Sequence, residues 1–284
     1  MVTFGALYHS TKKALKEAGI DNYQSEASYL IEKATGLKKH DIIIKSAEIC
    51  EAIQAEYVYN YLERRFCGEP LQYILGEWEF YGINFKIGYG VLIPRQDTEV
   101  LVDAVIQNFV GSDIECPLIA DLCSGSGCIA VTLNKMLESS KLFAVEYSKK
   151  AVAYLSANIS DNDSDVEIII GDVLDLKTVS NLPLLDCIVC NPPYLTKIDM
   201  TQLQKEVSAE PEDALFGGED GLDFYRRIPT IWGEKLNKGG FIAFEIGIGQ
   251  ENDVKALLEN SGYENVEFMK DLRGIVRVVC ATKI

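Results

Sequence analysis

Long apolar stretches and histidine are both scarce in this sequence of 284 residues. No stretch reaches the length of about 18 apolar residues that a membrane-spanning helix needs. Residues 1–5 lack the basic start and the apolar core of an export signal. These absences predict a cytoplasmic protein that has no membrane segment.

Metal ligands are also poorly represented. His9 and His40 are the only histidines, and the eight cysteines of a chain without an export signal are expected to be reduced thiols. Cys187 and Cys190 have the spacing of a metal-binding pair, but they lie in an apolar run typical of a strand. Side chains three residues apart on a strand point to opposite faces. We therefore expect no metal site and no disulfide framework.

Positive charge is in short supply, and the imbalance is uneven along the chain. The formal net charge is −16 at pH 7. Residues 1–75 contain nine Lys and Arg against ten Asp and Glu, while residues 76–284 contain eighteen against thirty-three. Because phosphate contacts supply much of the affinity for nucleic acids, we expect no direct nucleic-acid binding. The acidity suits a basic protein partner, or it serves solubility alone.

The first quarter of the chain has helical periodicity. Apolar residues recur at helical intervals up to Gly19 and again up to Gly36. A third stripe is the clearest and consists of Ile49, Ile53, Tyr57 and Tyr61. Such stripes form a core more often than a binding face. Residues 1–75 are therefore predicted to form a small helical bundle whose stripes face inward.

The pattern changes at residues 76–90, where two short alternating segments flank Tyr81-Gly82 and predict a β-hairpin. From residue 91 onward, strands alternate with helices, which is typical of a mainly parallel sheet covered on both faces. The strand candidates are residues 118–121, 142–146, 166–170, 185–190, 240–246, 266–269 and 275–280. The last two leave no room for a helix between them.

Residues suited to holding a nucleoside follow the first three of these strands. The loop after the first strand consists of Cys123, Ser124, Gly125, Ser126 and Gly127. Glycine there lets the backbone approach a ligand at a helix N-terminus. Glu146 ends the second strand, where a carboxylate can accept both hydroxyls of a ribose. Asp172, after the third strand, is placed either to accept an adenine amino group or to cap a helix. The glycine loop fits NAD and S-adenosylmethionine equally well.

The fourth strand ends in Asn191-Pro192-Pro193-Tyr194, at the edge of the sheet where open α/β folds bind ligands. The prolines remove two backbone donors and leave carbonyls free to face a ligand. The Asn191 side-chain oxygen and the Pro192 carbonyl can then accept both hydrogens of one NH2 group and support the positive charge that develops during methyl transfer. Tyr194 can pack against the flat face of that group. This clamp favours S-adenosylmethionine-dependent methylation of a planar nitrogen.

Taken together, these motifs resemble those of the protein-(glutamine-N5) methyltransferases that modify class 1 peptide chain release factors. The resemblance covers nearly the whole chain, including the helical part and the hairpin. Further segments that follow the family pattern are residues 93–99, Glu210-Pro211, Ala214-Leu215, Gly217-Gly218, residues 220–222, Tyr225, residues 245–247 with Gln250, and Asp271 with Gly274 and Arg277.

The resemblance implies an α/β fold with three parts. Residues 91–284 would form a Rossmann-like seven-stranded methyltransferase domain whose final strand is antiparallel, preceded by a helical N-terminal domain over residues 1–75 and a β-hairpin linker over residues 76–90. The near-neutral charge of the helical domain beside an acidic catalytic domain adds the hypothesis that it helps to dock the release factor. We expect the enzyme to be a monomer.

The resemblance also implies the ligands and the residues that bind them. S-adenosyl-L-methionine would be the cofactor and S-adenosyl-L-homocysteine the product. Their binding residues would be Cys123, Ser124, Gly125, Ser126, Gly127, Glu146, Asp172, Val173 and Asn191. The substrate would be the glutamine of a Gly-Gly-Gln loop on class 1 release factors, held by Asn191, Pro192, Pro193 and Tyr194.

Two positions depart from the family pattern. Gln96 stands where a proline is usual, and Cys123 stands where many members have the first loop glycine. A cysteine is expected to take an ordinary negative φ at that position. The backbone contact with the methionyl part of the cofactor would then differ slightly.

Other functions fit the clamp taken alone. A nucleic-acid amino methyltransferase, for example one acting on adenine, would use the same acceptors on a base taken out of its stack, but the acidity of residues 76–284 argues against it. A ribosomal-protein glutamine methyltransferase is separated from a release-factor enzyme only by overall resemblance. A partner-binding protein without catalysis is disfavoured by the intact Asn191, Pro192 and Tyr194.

Overall fold

The computed structural model describes residues 2–180 and 182–284, which divide into two compact units. The first unit comprises the described chain up to Glu77 together with Lys205–Ala209. The second comprises Trp78–Gln204, as far as it is described, and Glu210–Ile284. The sequence had given no sign that the short segment Lys205–Ala209 packs with the helical unit.

The first unit is the helical bundle that was predicted, although the periodicity had marked three helices and the described residues form five. They are α1 (Phe4–Glu17), α2 (Tyr23–Thr35), α3 (Lys39–Ile44), α4 (Ala52–Phe66) and α5 (Leu71–Leu75). The Thr3 hydroxyl accepts a hydrogen bond from the Ala6 N–H at 3.2 Å and so caps α1. Gly36 ends α2 with a φ of 72°, a left-handed conformation that glycine adopts freely. Leu7, Leu15, Leu30 and Ile31 are fully buried in the core of this unit.

The third apolar stripe does not face this core, so the interpretation of it as a core face was wrong. The side chains of Ile49, Ile53 and Tyr57 are 58%, 46% and 48% exposed. The buried residues of α4 are instead Ala55, Val58, Leu62 and Arg65. Residues four apart on a helix are offset by about 40°, so a stripe with a constant spacing of four turns away from one face. A stripe that alternates steps of three and four stays on one face.

A buried arginine links Lys205–Ala209 to the helices of the first unit. The Arg65 guanidinium, which is 8% exposed, donates to Glu26 at 2.8 Å and to Glu206 at 2.9 Å. The Lys205 ammonium also donates to the Phe66 carbonyl at 3.3 Å. A buried charge is stable only when it is paired, so Glu26 and Glu206 together allow Arg65 to lie within the unit.

The second unit contains the hairpin, apart from its first residue Glu77, and a seven-stranded sheet, which confirms the predicted fold class. The hairpin is β1 (Glu77–Phe80) and β2 (Ile83–Lys86). The sheet strands are β3 (Leu118–Leu122), β4 (Lys141–Glu146), β5 (Val166–Ile170), β6 (Leu185–Cys190), β7 (Leu236–Glu245), β8 (Tyr263–Lys270) and β9 (Val276–Lys283). Their order is β5-β4-β3-β6-β7-β9-β8. Strand β9 is antiparallel to both of its neighbours, and the other pairs are parallel.

Helices cover both faces of this sheet and create two apolar cores. The helices of this unit are α6 (Glu99–Phe109), α7 (Cys128–Met136), α8 (Lys149–Asp161), α9 (Leu176–Ser180), α10 (Lys197–Met200), which buries no residue, α11 (Asp223–Gly233) and α12 (Glu251–Asn260). One core contains residues of α6, α7 and α8 with Phe80 and Phe85 of the hairpin, and the other contains residues of α9, α11 and α12. Cys187 and Cys190 lie in different cores, as expected for side chains on opposite faces of β6.

The strand order reverses beside β3, and this reversal positions the site. The chain runs from β3 to its neighbour β4, and it reaches β6 on the other side of β3 only after β5. Open α/β sheets bind ligands in the crevice that such a reversal creates at the carboxyl edge. Leu122 is paired with Cys190, so β3 and β6 end at the same level and bring residue 123 and residue 191 close together.

Two findings bear on membranes and metals. None of the helices in the described residues is long and apolar enough to cross a membrane. Within residues 2–180 and 182–284, no group of three or more His, Cys, Asp and Glu side chains is arranged to hold a metal ion. All eight cysteines are free thiols, of which Cys67 and Cys116 are exposed.

Candidate functional site

A cavity of about 440 Å3 opens at the carboxyl edge of the sheet in the second unit. Its wall comes from segments that are far apart in sequence and meet at the ends of β3, β4, β5 and β6. The lining residues are 90–92, 94, 95, 98, 123–126, 128 and 129, 146–148, 151, 172–174, 191, 193, 211–214, 216 and 224. Most of the residues singled out in the sequence therefore share one cavity.

The loop after β3 has the tight backbone that its glycines predicted. Gly125 and Gly127 have φ values of 55° and 80°. A Cβ on Gly127 would lie 2.4 Å from Leu155 Cδ1, so a side chain there would displace the Leu155 side chain of α8 from the start of α7. Cys123 also has a positive φ, of 59°. The expectation of an ordinary φ at Cys123 was wrong, because the turn imposes its left-handed geometry whichever residue stands there.

The strain at Cys123 can be tested by substitution. Cys123→Gly is expected to leave the free energy of unfolding within about 1 kcal/mol of the wild-type value, because glycine adopts this φ freely. Cys123→Val should lower that free energy by about 2 kcal/mol more, since a β-branched residue is poorly tolerated in the left-handed region. Urea denaturation of both variants measures the difference. Equal stability of the two variants would contradict the argument.

Beneath this loop lies Asp121, which is fully buried at the end of β3. One of its carboxylate oxygens accepts a hydrogen bond from the Ala130 N–H at 3.2 Å, within the first turn of α7. Burial raises the pKa of Asp121 to about 8, against the lowering effect of hydrogen bonds from Ser124 and Ala130. Asp121 therefore stabilises the first turn of α7, next to the loop. It is not among the residues that line the cavity.

Glu146 ends β4 and joins the loop to the next segment. One oxygen of its carboxylate accepts the Gly125 N–H at 2.7 Å, and the other accepts the Ser148 N–H at 2.7 Å. Its side chain is largely buried but lines the cavity. A carboxylate oxygen has more than one lone pair, so each can accept a further hydrogen bond from a ligand.

The segment after β5 brings Asp172 and Val173 to the wall of the cavity. Asp172 is exposed, and its carboxylate accepts the Leu174 N–H at 2.8 Å. This contact forms a local turn, and Asp172 does not precede a helix directly, because α9 begins at Leu176. Val173 is buried and contributes an apolar surface to the wall.

The clamp residues follow β6 directly. Asn191 and Pro193 line the cavity, whereas Pro192 is buried and Tyr194 is half-buried against the adjoining core. The Asn191 amide nitrogen donates to the Thr98 hydroxyl at 3.3 Å. Among the described residues, no group donates a hydrogen bond to the Asn191 side-chain oxygen or to the Pro192 carbonyl. The two acceptors that the sequence singled out are thus not engaged by the protein itself.

Two glycines and a glutamine hold the clamp backbone in place. A Cβ on Gly217 would lie 2.5 Å from the Pro193 carbonyl oxygen, and one on Gly221 would lie 2.3 Å from that of Tyr194. The Gln250 amide nitrogen donates to the Tyr194 carbonyl at 3.2 Å and to the Gly221 carbonyl at 3.3 Å. These contacts give the family-pattern residues Gly217, Gly221 and Gln250 a structural role next to the clamp.

Glu245, at the end of β7, lies behind the clamp and is 2% exposed. The Tyr194 hydroxyl approaches one of its oxygens to 3.5 Å, and the Tyr225 hydroxyl donates to its backbone carbonyl at 2.8 Å. Burial raises the pKa of Glu245 to about 7, although a hydrogen bond from Thr98 and the charge of Arg277 both lower it. A buried carboxyl group in this position is costly, and one of its oxygens has no hydrogen-bond partner among the described residues.

One rim of the cavity is fixed by an ion pair. Arg95 donates to Glu210, and the other oxygen of Glu210 accepts the Ile93 N–H at 3.0 Å. Glu210 is 7% exposed, which makes this a shielded pair. It joins the segment before α6 to the segment that follows the clamp.

Sequence reasoning identified part of this wall. Cys123, Ser124, Gly125 and Ser126 line the cavity with Glu146, Asp172, Val173, Asn191 and Pro193, while Gly127 lies behind them at the start of α7. Among the residues that were given no role are Arg95 and Thr98, which line the cavity, and Glu210 and Glu245, which do not. All four belong to segments that match the family pattern, and this match was the signal that could have pointed to them.

Comparison with known proteins gives consistent results. The family models described as PrmC N-terminal domain and Methyltransferase small domain match residues 6–76 and 96–218. A release factor glutamine methyltransferase from Thermodesulfovibrio yellowstonii is 38% identical over 260 residues, which are 91% of this chain and 92% of that protein. Another, from Geobacter sulfurreducens, is 36% identical over 274 residues, which are 95% and 93% of the two chains.

A solved structure shares the fold. The 16S rRNA N2 G1207 methyltransferase of T. thermophilus, in complex with AdoMet and guanosine, superposes with a TM-score of 0.53 at 16% identity. The match covers 73% of this chain and 50% of that one. At this level of identity, the likeness concerns the architecture of the sheet and its helices alone.

Proposed function

Because the chain belongs to the release factor glutamine methyltransferases, we propose that it transfers a methyl group from S-adenosyl-L-methionine to a glutamine side-chain nitrogen of peptide chain release factors. The glutamine is the one in the Gly-Gly-Gln motif, and the product of the cofactor is S-adenosyl-L-homocysteine. The observation that supports this best is the shared cavity, whose wall contains both the nucleoside-type loop with Glu146 and the unengaged acceptor of Asn191.

The residues of the cavity fit S-adenosyl-L-methionine. A Cβ built on Gly125 would meet nothing closer than Val91 at 3.9 Å, so the loop is open where the methionyl part would lie. Glu146 is held by two backbone N–H groups with lone pairs left for ribose hydroxyls, and Asp172 and Val173 offer a polar and an apolar contact for adenine. When bound, the cofactor supplies an electrophilic methyl group on a sulfonium centre.

The clamp residues would act on the substrate as hydrogen-bond acceptors. The Asn191 oxygen and the Pro192 carbonyl accept the two amide hydrogens, which orients the nitrogen and reduces delocalisation of its lone pair into the carbonyl. They also stabilise the positive charge that develops on nitrogen. Holding the nitrogen in line at near-attack distance supplies much of the remaining advantage. Pro193 and Tyr194 would shape the floor on which the flat amide group rests.

A direct test uses the purified protein with isotopically labelled cofactor. The candidate substrates are intact class 1 release factors, ribosomal proteins and DNA, and the methyl group is located by mass spectrometry. We expect it on the glutamine of the Gly-Gly-Gln motif. A methyl group found only on DNA or on ribosomal proteins would overturn the proposal. The excess of acidic residues over 76–284 argues against nucleic acid as substrate.

We further propose that the helical domain, residues 1–75, helps to dock the release factor and that the enzyme works as a cytoplasmic monomer. The domain has nearly balanced charge, and Ile49, Ile53 and Tyr57 present an exposed apolar stripe on it. Exposed apolar patches of this kind commonly mark protein interaction sites. A release factor is the partner that the activity provides. Residues 76–90 would then serve as the linker to the catalytic domain, residues 91–284.

The docking role leads to a measurable expectation. A variant that combines Ile53→Ser and Tyr57→Ser should raise KM for an intact release factor by about 30-fold, because truncation of two apolar interface anchors costs about 1 kcal/mol each. Its kcat should stay the same, and so should KM for a short Gly-Gly-Gln peptide that lacks the rest of the release factor. The control is Val110→Ser, which removes an apolar side chain that is 73% exposed and directly follows α6 in the second unit. An unchanged KM for the intact release factor would contradict the docking role of the helical domain.

A further inference from the structure

A fully buried asparagine on α8 pairs with the end of the hairpin. The Asn158 side chain is 0% exposed. Its amide oxygen accepts the Lys86 N–H at 2.7 Å, and its amide nitrogen donates to the Lys86 carbonyl at 3.0 Å. One side chain therefore engages both backbone groups of the last residue of β2, as a neighbouring strand would.

The same amide also holds the loop after β3. The Asn158 amide nitrogen donates its second hydrogen to the Ser126 carbonyl at 2.8 Å. An asparagine amide has two hydrogens to donate, and both are now used. Water competes little for these bonds at a fully buried side chain, and a buried polar group with all its partners in place makes its surroundings rigid. Asn158 thus fixes the end of β2 and the loop relative to each other.

Both segments that Asn158 holds continue into the wall of the cavity. Ser126 lines the cavity on the side of the loop, and residues 90–92 line it a few positions after β2. The two parts of the wall are neighbours, since a Cβ on Gly125 would find Val91 Cγ2 at 3.9 Å. The spacing between these two parts of the wall therefore depends on how β2 and the loop are held.

We propose that Asn158 is a positioning residue for the cofactor, which holds the loop after β3 and the segment after β2 at the separation that S-adenosyl-L-methionine requires. The inference rests on the proposed function. It gives the hairpin a part in the cofactor site in addition to its role as a linker. Asn158 is not among the residues that line the cavity, so it acts through Ser126 and Lys86.

The loop after β3 is a segment in which such a contact matters. Gly125 and Gly127 both have positive φ values, and glycine loses more conformational freedom than other residues when it is ordered. Contacts that order the loop before a ligand arrives remove this cost from the binding free energy. Glu146 holds the loop at the Gly125 N–H, and Asn158 holds it at the Ser126 carbonyl. The two contacts together fix the loop in one conformation.

Asn158→Ala is expected to raise the dissociation constant for S-adenosyl-L-methionine about tenfold, because the loop must then be ordered on binding. At saturating cofactor, kcat and KM for the release factor should stay within about twofold of wild type, since the clamp is not altered. Calorimetry and steady-state kinetics measure these quantities. A purely structural role would lower the melting temperature and leave the affinity of the folded protein unchanged, and that result would overturn the inference.

Asn162→Ala is the matched control, because it makes the same change directly after α8. The Asn162 amide donates to the Asn84 carbonyl of the hairpin at 3.3 Å and to the Asn158 carbonyl at 3.0 Å, neither of which belongs to the loop. This variant should bind S-adenosyl-L-methionine with wild-type affinity. An equal loss of affinity in Asn162→Ala and Asn158→Ala would contradict the specific role of the contact with Ser126.

Amide hydrogen exchange in the wild-type protein tests the inference without any substitution, and it decides alone if Asn158→Ala fails to fold. Coupling between two sites is reciprocal, so saturating S-adenosyl-L-methionine should slow exchange of the Lys86 amide by a similar factor of about ten. The reference is the Leu118 amide, which donates to the Asp186 carboxylate at 2.9 Å at the opposite edge of the sheet. Equal slowing of both amides, or none at Lys86, would overturn the inference.

These outcomes are distinct from those that test the proposed function. Wild-type protein that binds S-adenosyl-L-methionine but methylates no release factor would refute the function, while calorimetry and hydrogen exchange would still decide the role of Asn158. Wild-type protein that methylates the release factor, together with unchanged cofactor affinity in folded Asn158→Ala, would leave the function standing and refute the positioning role.

Discussion

Asn191→Ala should lower kcat for release-factor methylation by about 100- to 1,000-fold, the size of effect seen when one preorganised hydrogen-bond partner of a developing charge is removed. The variant deletes the acceptor on the cavity wall and leaves Glu146 and the loop after β3 unchanged. The dissociation constant for S-adenosyl-L-methionine should therefore stay within about threefold of wild type. Single-turnover kinetics and calorimetry measure these two quantities independently.

A second asparagine provides the control for this substitution. The Asn237 amide donates to Asp186 at 2.8 Å, near the amino ends of β6 and β7 and thus at the edge of the sheet opposite the cavity. Asn237→Ala removes a side-chain hydrogen bond of the same type and should leave kcat unchanged. Normal turnover in Asn191→Ala at saturating cofactor, combined with weakened cofactor binding, would mean that Asn191 belongs to the cofactor site and not to the clamp.

The main features of the catalytic unit could be predicted because each depends on local sequence. A strand followed by Gly125 and Gly127 forces a turn into a helix, and a strand that ends in Pro192 and Pro193 cannot extend its ladder further. The reversal of strand order then brings these turns together at one edge of the sheet. The seven strands follow from patterns that can be read without any long-range contact, whereas the sheet topology that brings the turns into one cavity was implied by the family resemblance.

Other features depend on packing that the sequence does not encode locally. Ile53 and Tyr57 have the spacing of a core stripe, yet the neighbouring helices cover the face of α4 that carries Val58 and Leu62. Cys123 takes a positive φ because the surrounding turn requires it. The contact of Thr98 with Asn191 joins residues 93 positions apart, and no periodicity relates two such positions.

Lys205–Ala209 is a third example of a placement that local patterns do not reveal. Glu206 of this segment is 141 positions away from its partner Arg65 in the sequence. The segment itself contains one short 3-10 turn, Val207–Ala209. Its association with the helical unit depends on one buried guanidinium that needs a second carboxylate. A domain boundary drawn from composition alone cannot include such a segment.

Glu146→Ala should raise the dissociation constant for S-adenosyl-L-methionine by roughly 100-fold, because each hydrogen bond to a charged group is worth about 1.5–3 kcal/mol. Two effects add here. The ribose hydroxyls lose their acceptor, and the Gly125 and Ser148 N–H groups, both 2.7 Å from the carboxylate, lose the contact that holds the loop. At saturating cofactor, kcat should remain within about fivefold of wild type, since the clamp is not altered.

Glu146→Gln separates the two effects. The introduced amide keeps one oxygen as an acceptor, but its nitrogen cannot accept the hydrogen bond that a backbone N–H donates to Glu146. Its affinity for the cofactor should lie between those of the wild type and Glu146→Ala. Glu167→Ala, which removes an exposed carboxylate from the neighbouring strand β5, is the control and should leave the affinity unchanged. An unchanged dissociation constant in Glu146→Ala would mean that the ribose does not bind at Glu146. The assignment of the end of β4 to the ribose would then be wrong.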